Sequence, residues 1–393
     1  MSNVGTWMQT LTVPYVIFEL TRSTTWVGLA GFAALVPTVV VTPLGGALAD
    51  RFPRRHVLLV AQSLAGILAA TLAVTWLAGI RAPLLVLLLG AAVLLCGSFS
   101  ASGFHALISD LVPPEAVTSA VGLNSMQVSV GKTIGPAIGG VVLATLGPAW
   151  TFGANAVSFL GILLVLTVIR PRPIERSGPA VSLLSGILAG AQHVWRDRGM
   201  RSAFLLTIAI TSLANPLLQI VAPYTGSVLG GGPTLIGALV AMYGGGSVVA
   251  VGFVSRVVQP GRRGEAITSL VATLGLGVIV VGLAPGPLTG LAGFFLVGGV
   301  YILTISPLIA TFHLRAAPDL RARAMSVFLV AFSASLGVGT LLQGAVGDRT
   351  GLRVPIVVAG LALTSIGCWA RRRASTLQLE ARPPSGPVAG EPS

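Results

Sequence analysis

The sequence predicts an all-α membrane protein with twelve transmembrane helices in two pseudo-symmetric six-helix bundles. Three observations carry that prediction. First, 54% of the 393 residues are hydrophobic and only 9% are charged, with a mean hydropathy of +0.90. A soluble domain carries roughly 25% Asp, Glu, Lys and Arg. So few charges cannot coat a surface in water, which excludes a soluble enzyme or a nucleic-acid binder and makes the bilayer the solvent. Second, unbroken apolar runs such as Leu84–Gly97 are too long for a β-barrel, whose strands alternate over about 10 residues. Third, the chain partly overlays itself at an offset near 205.

A helix needs about 20 apolar residues to cross the hydrocarbon. Runs bounded by Arg, Pro and Gly fall near 3–21, 26–48, 57–78, 83–104, 119–146, 150–169, 202–225, 234–254, 265–284, 287–311, 324–346 and 352–370. The first is short, with polar Asn3 and Gln9 where a helix should be under way, so it is expected to be truncated at its start. In the long central loop, Leu184, Ile187, Leu188, Ala191, Val194 and Trp195 recur at helical spacing. This predicts an amphipathic helix over 181–198 on the membrane surface. The expected organisation is a bundle over 1–169, a linker over 170–201, a second bundle over 202–373 and a Pro-, Ser- and Gly-rich disordered tail over 374–393.

The net charge of +13 follows orientation rather than a polyanionic partner. With both termini in the cytoplasm, 19 arginines fall on the inner side and 4 on the outer (Arg22, Arg81, Arg349, Arg353). Cytoplasmic loops carry such an excess. Cys96 and Cys368 lie in separate apolar segments, and His56, His105 and His313 lack metal spacing, so neither a disulfide framework nor a metal site is expected. No cofactor is implied.

The internal repeat pairs Gly46–Leu64 with Gly252–Leu270, both running from Gly through paired arginines to Ser-Leu. Gly135, Gly140 and Gly147 pair with Gly339, Gly344 and Gly351 at an offset of 204. Two six-helix halves related in this way enclose a central site and rock about it, which is a transporter's geometry.

Between spans two and three, Gly45-Gly46-Ala47-Leu48-Ala49-Asp50-Arg51-Phe52-Pro53-Arg54-Arg55 combines close-packing glycines, one acid and several bases. Gly46, Asp50, Arg51, Arg54 and Arg55 form a candidate cytoplasmic gate, since a surface carboxylate can accept from a neighbouring helix N-terminus while the arginines pair with acids or lipid phosphates. The alternative is a solvated turn. This stretch resembles the hallmark loop of the major facilitator superfamily, with Pro53 replacing the usual Gly. Ser2–Gln9, Asp110–Pro113, Asn124, Ile134–Gly140 and Pro318–Arg323 resemble the branch containing the enterobactin exporter and macrolide-efflux permeases. The resemblance spans nearly the whole chain and implies the major facilitator fold. It also implies that the Gly135-Pro136 kink in span five is associated with export, and that arginine is usual at the place of Lys132.

Lys132 lies about 20 Å into span five at a rise of 1.5 Å per residue. A cation at that depth costs roughly 2.5–3.5 kcal/mol on insertion scales and faces a partner or a wet cavity. Ser125, Ser129 and Lys132 share a helical face beside the strip of Asn124, Gln127 and Gly131. Substrate contact and a structural ion pair are both open for Lys132. Further cavity candidates are Gln9, Tyr15, Asn215, Gln219, Tyr243, Tyr301 and Thr304; Asn215-Pro216 is expected to break span seven and free carbonyls. Glu19 is the candidate for proton coupling, against an interfacial acid paired with Arg22. Span four lacks the arginine that proton-coupled antiporters of the superfamily often carry.

The expectation is a secondary exporter of a small amphipathic, drug- or siderophore-like molecule. It would work by alternating access in a bacterial-type inner membrane, as a monomer among lipids and without nucleic acid. A flippase or importer of the same fold is the alternative. A membrane-embedded enzyme is third, because no nucleophile, phosphate-cradling or HExxH pattern occurs.

Overall fold

The computed structural model describes residues 2–33, 54–113, 116–169, 183–259, 261–317, 320–377 and 379; for some helical positions it describes the backbone alone. The long helices are α1 (Ser2–Thr21), α2 (Thr24–Ala33), α3 (Arg54–Leu77), α4 (Pro83–Leu111), α5 (Val117–Thr145), α6 (Pro148–Val168), the linker helix α7 (Leu183–Arg196) and α8 (Arg198–Leu213). Two short helices, α9 (Pro216–Gln219) and α10 (Val221–Ser227), continue the path of α8. Then come α11 (Pro233–Val251), the single turn α12 (Val254–Val257), α13 (Arg263–Gly282), α14 (Pro287–Arg315), α15 (Arg321–Thr350), α16 (Arg353–Arg372) and α17 (Ala374–Leu377). These occupy all twelve expected spans, with the second described only as far as Ala33.

Four long helices open on proline: Pro83, Pro148, Pro233 and Pro287 stand in their first turns. Proline suits that place because its missing N–H would have found no intrahelical partner. As the chain alternates direction, all four begin at the face opposite the one bearing the chain ends. Lipid-facing surfaces are legible as apolar stripes: Val60, Ile67 and Val74, two turns apart on α3, are each more than 60% exposed. In water such a surface would be an aggregation site; in hydrocarbon it is the expected exterior.

The packing of α1–α6 recurs in α8–α16. α1 lies on α5 and α6 as α8 lies on α15 and α16, and α3 lies on α4 and α6 as α13 lies on α14 and α16. Across the two groups, α2 packs on α15 and α5 packs on α11. Within the second group Tyr224, Phe294, Phe312 and Phe328 are fully buried, and the Tyr224 hydroxyl donates to the Val281 carbonyl at 2.8 Å. The linker helix α7 lies against α15, with Gly190 pressed to the Arg323 carbonyl. Asp197 caps α8 by accepting from the Met200 N–H at 2.8 Å and pairs with Arg315 at 2.7 Å.

Candidate functional site

Among the described residues, the two groups meet in close backbone contact at the ends of two helix pairs that lie toward the face opposite the chain ends. An α-helix leaves its first N–H groups without intrahelical partners. At α2, whose chain enters through Arg22 at φ 52°, those groups are served from α15, more than 300 residues on. Asp348 accepts from Ser23 Oγ at 2.6 Å, from both the N–H and the hydroxyl of Thr24, and from the Thr25 N–H at 3.0 Å. A carboxylate at a helix N-terminus also meets the positive end of the dipole. The Thr24 hydroxyl reaches the Gly344 carbonyl as well. Behind this cluster the backbones touch: a Cβ on Gly28 would lie 2.8 Å from the Thr340 carbonyl, and one on Gly344 would collide with the Thr24 carbonyl.

The second seam repeats the backbone contact, and among the described residues no carboxylate joins it. A Cβ on Gly140 of α5 would lie 2.7 Å from Gly237 Cα and 3.0 Å from the Pro233 carbonyl of α11. Gly140 and Gly344 are the pair related by the 204-residue offset, and each presses on the first turn of a helix from the other group. Four residues past Gly344 stands Asp348; four past Gly140 stands Ala144.

The candidates from sequence are placed as follows. Gly46, Asp50 and Arg51 of the gate motif lie outside the described residues, as does the Arg54 side chain. Arg55 caps the end of α6, its Nε donating to the Leu166 carbonyl and its Nη2 to that of Thr167, both at 2.6 Å. Gln9 is buried, and its Oε1 accepts from Asn155 Nδ2 at 2.6 Å. Exposed Gln127 accepts from Asn3 at 3.0 Å. Asn124 is half-buried, and the Lys132 side chain lies outside the described residues. Tyr243 is nearly buried, its ring 6.1 Å from half-buried Tyr301. Tyr15, Asn215 and Gln219 are half-buried, and the Thr304 hydroxyl turns back to the Val300 carbonyl. Glu19 pairs with Arg22 at 2.9 Å, the Arg22 side chain largely and the Glu19 side chain partly solvent-accessible.

Gly135-Pro136 lies inside α5 in a stripe of close contact. Gly131, Gly135 and Gly139 receive Asn3, Trp7 and Met8 of α1, as small residues spaced by one turn allow in membranes. The break at Asn215-Pro216 ends α8 at Leu213. Its freed carbonyls find a neighbour, for Gln343 Nε2 donates to Ser212 at 3.2 Å and to Leu213 at 2.9 Å. Sequence reading did not single out Asp348, Gln343 or Asn155. Ending span eleven at 346 left Asp348 in a loop; the offset joining Gly140 to Gly344 was the signal that could have drawn attention to it.

Helices at the expected spans, nine of them among the described residues long and apolar enough to cross a membrane, repeated packing and two glycine seams joining the halves point to a transporter of the major facilitator type. The comparisons agree. The family model described as "Transmembrane secretion effector" matches residues 1–382, and the chain belongs to that family. It is therefore a multi-pass membrane transporter and not an enzyme. It is 28% identical over 399 residues to the multidrug efflux pump Tap of Mycobacterium tuberculosis, covering 98% of this chain and 93% of that protein. It is 37% identical over 180 residues to the enterobactin exporter EntS of Escherichia coli, covering 44% and 42%. Among solved structures, a bacterial homologue of the human lysosomal transporter Spinster, inward-facing and occupied, superposes with a TM-score of 0.75 at 15% identity, covering 97% of both chains.

Proposed function

We propose that the chain exports a small amphipathic molecule by alternating access, and that the state described here is closed at the outer face. The single observation carrying this reading is the Asp348 cluster, which ties the first turn of α2 to the last turn of α15 at the face opposite the chain ends. The 19-to-4 arginine split supports a cytoplasmic position for the termini, which makes that face external. Kinship with proteins named multidrug efflux pump and enterobactin exporter supports outward movement of a drug- or siderophore-like compound.

In this reading substrate enters from the cytoplasm between the halves. It meets the sparsely polar groups of α5, α8–α11 and α14, with Asn124, Lys132, Asn215, Gln219, Tyr243 and Tyr301 as candidate contacts. Opening outward requires the Asp348 hydrogen bonds to be exchanged for water, while Asp50 and its arginines join on the inner side. Glu19, engaged with Arg22, is a candidate for proton linkage. The protein works as a monomer.

The test is transport in everted membrane vesicles. Ethidium should accumulate inside when the membrane is energised, in vesicles carrying the wild-type chain and not in vesicles without it. Uptake in right-side-out vesicles instead would reverse the assigned direction. Collapse of the proton gradient should abolish accumulation, and accumulation that survived collapse would remove the proton from the scheme.

A further inference from the structure

At the face bearing the chain ends, Arg256 of α12, Arg262 just before α13 and Arg371 in the last turn of α16 line one cavity of about 320 Å³, together with Gln259, Glu265 and Ser269. We infer that this cavity holds the phosphate of an anionic phospholipid headgroup from the adjoining leaflet. The inference needs only the membrane-spanning fold and stands apart from the transport reading.

Four observations lead there. Three arginines converge against one carboxylate from elements 115 residues apart in sequence, whereas a charge bias that merely orients loops requires no convergence. Among the described residues none of the three is in an ion pair; the pairs found are Glu19 with Arg22 and Asp197 with Arg315. α13 begins at the cavity, with Arg262 at its N-cap, so its dipole adds positive potential. Beside the charge lies apolar surface for acyl chains. Exposed Val257 lines the cavity and exposed Phe253 sits one turn earlier with the Arg256 guanidinium 5.8 Å from its ring.

The internal repeat sharpens the assignment. Gly46 faces Gly252, so Asp50 of the first half corresponds to Arg256 of the second. The sign at this loop position is reversed between the halves. With a base where the first half has its acid, and with Arg371 of α16 beside it, the second-half cleft suits a phosphate, as basic clefts between helices at the membrane surface bind anionic headgroups.

The test titrates the full-length protein in neutral detergent with dioleoylphosphatidylglycerol, dioleoylphosphatidylcholine or inorganic phosphate, and counts bound lipid by native mass spectrometry. Each arginine near a lipid surface is worth about fivefold in affinity. Arg256→Gln should therefore weaken phosphatidylglycerol binding about fivefold, and adding Arg262→Gln and Arg371→Gln should reduce it to the phosphatidylcholine level. Arg196→Gln with Arg198→Gln and Arg321→Gln, an equal charge loss elsewhere on the same face, should leave it unchanged. Arg256→Gln, at an exposed position, supplies the readout if the triple variant fails to fold. Equal loss in both triple variants, or undiminished binding without the three cavity arginines, overturns the proposal. Displacement of the lipid by millimolar inorganic phosphate overturns the lipid as the source.

Discussion

The two seams that join the halves are built on one plan and finished differently. At each, a glycine of one half (Gly344 or Gly140) meets the first turn of a helix from the other, near Thr24 and Gly28 or near Pro233 and Gly237. The α2–α15 seam adds Asp348, which gathers donors from Ser23, Thr24 and Thr25. The α5–α11 seam has Ala144 in that place and relies on backbone contact. Close glycine contact gives each seam its fit, and water exchange cannot replace it. The charge gives one seam a bond that can be swapped for water, suited to a joint that opens in every cycle. The shared plan recurs at the 204-residue offset, and the carboxylate stands on one side of it.

Substitutions at the seams should separate the contribution of the glycines from that of the carboxylate. Gly140→Val places a side chain against Gly237 backbone, which has no flexible atom to yield. Overpacking of that kind costs roughly 1–3 kcal/mol or more, and vesicle transport should fall to a tenth or less while the protein still inserts. Gly344→Val should match it, because the backbone contact is common to both seams; a mild effect at either would deny the shared plan.

Asp348→Asn comes next. Hydrogen bonds to a charged group are worth about 1.5–3 kcal/mol, and 1.4 kcal/mol is tenfold in an equilibrium. Weakening even one should move the outer face toward opening by about tenfold and slow transport. Gln343→Ala leaves the Ser212 and Leu213 carbonyls without their donor, at about 1–3 kcal/mol for an unsatisfied buried group. It should lower the thermal unfolding midpoint while leaving the outer-gate equilibrium in place. Glu19→Gln should be smallest, since an exposed ion pair contributes about 0–1 kcal/mol. Transport near wild-type with proton dependence intact would leave Glu19 as an interfacial acid, and loss of proton dependence alone would make it the coupling group.

Much of the fold was legible because hydrocarbon imposes simple rules. Apolar run length located the spans and proline marked the starts of α4, α6, α11 and α14. Helical spacing between 181 and 198 located the linker helix. The repeat of Gly135, Gly140 and Gly147 at 339, 344 and 351 was visible, but its purpose was not, because a one-dimensional offset does not say which helix a glycine faces. For the same reason the sequence did not show that Gln9 bonds Asn155, 146 residues away. Asp348 escaped notice because its partners are mostly backbone and hydroxyl donors of a helix start, which no local pattern links to residue 348.

Whether Asp348 holds the outer face shut is read from the distance across that face. With Cys96 and Cys368 replaced, spin labels at Ala78→Cys and Leu288→Cys, both exposed beside the outer ends of opposite halves, report it by double electron–electron resonance. One short-distance population is expected in the otherwise wild-type chain, and in Asp348→Asn a second, longer population whose ratio to the short one has risen about tenfold. A distance distribution unchanged by Asp348→Asn would contradict it.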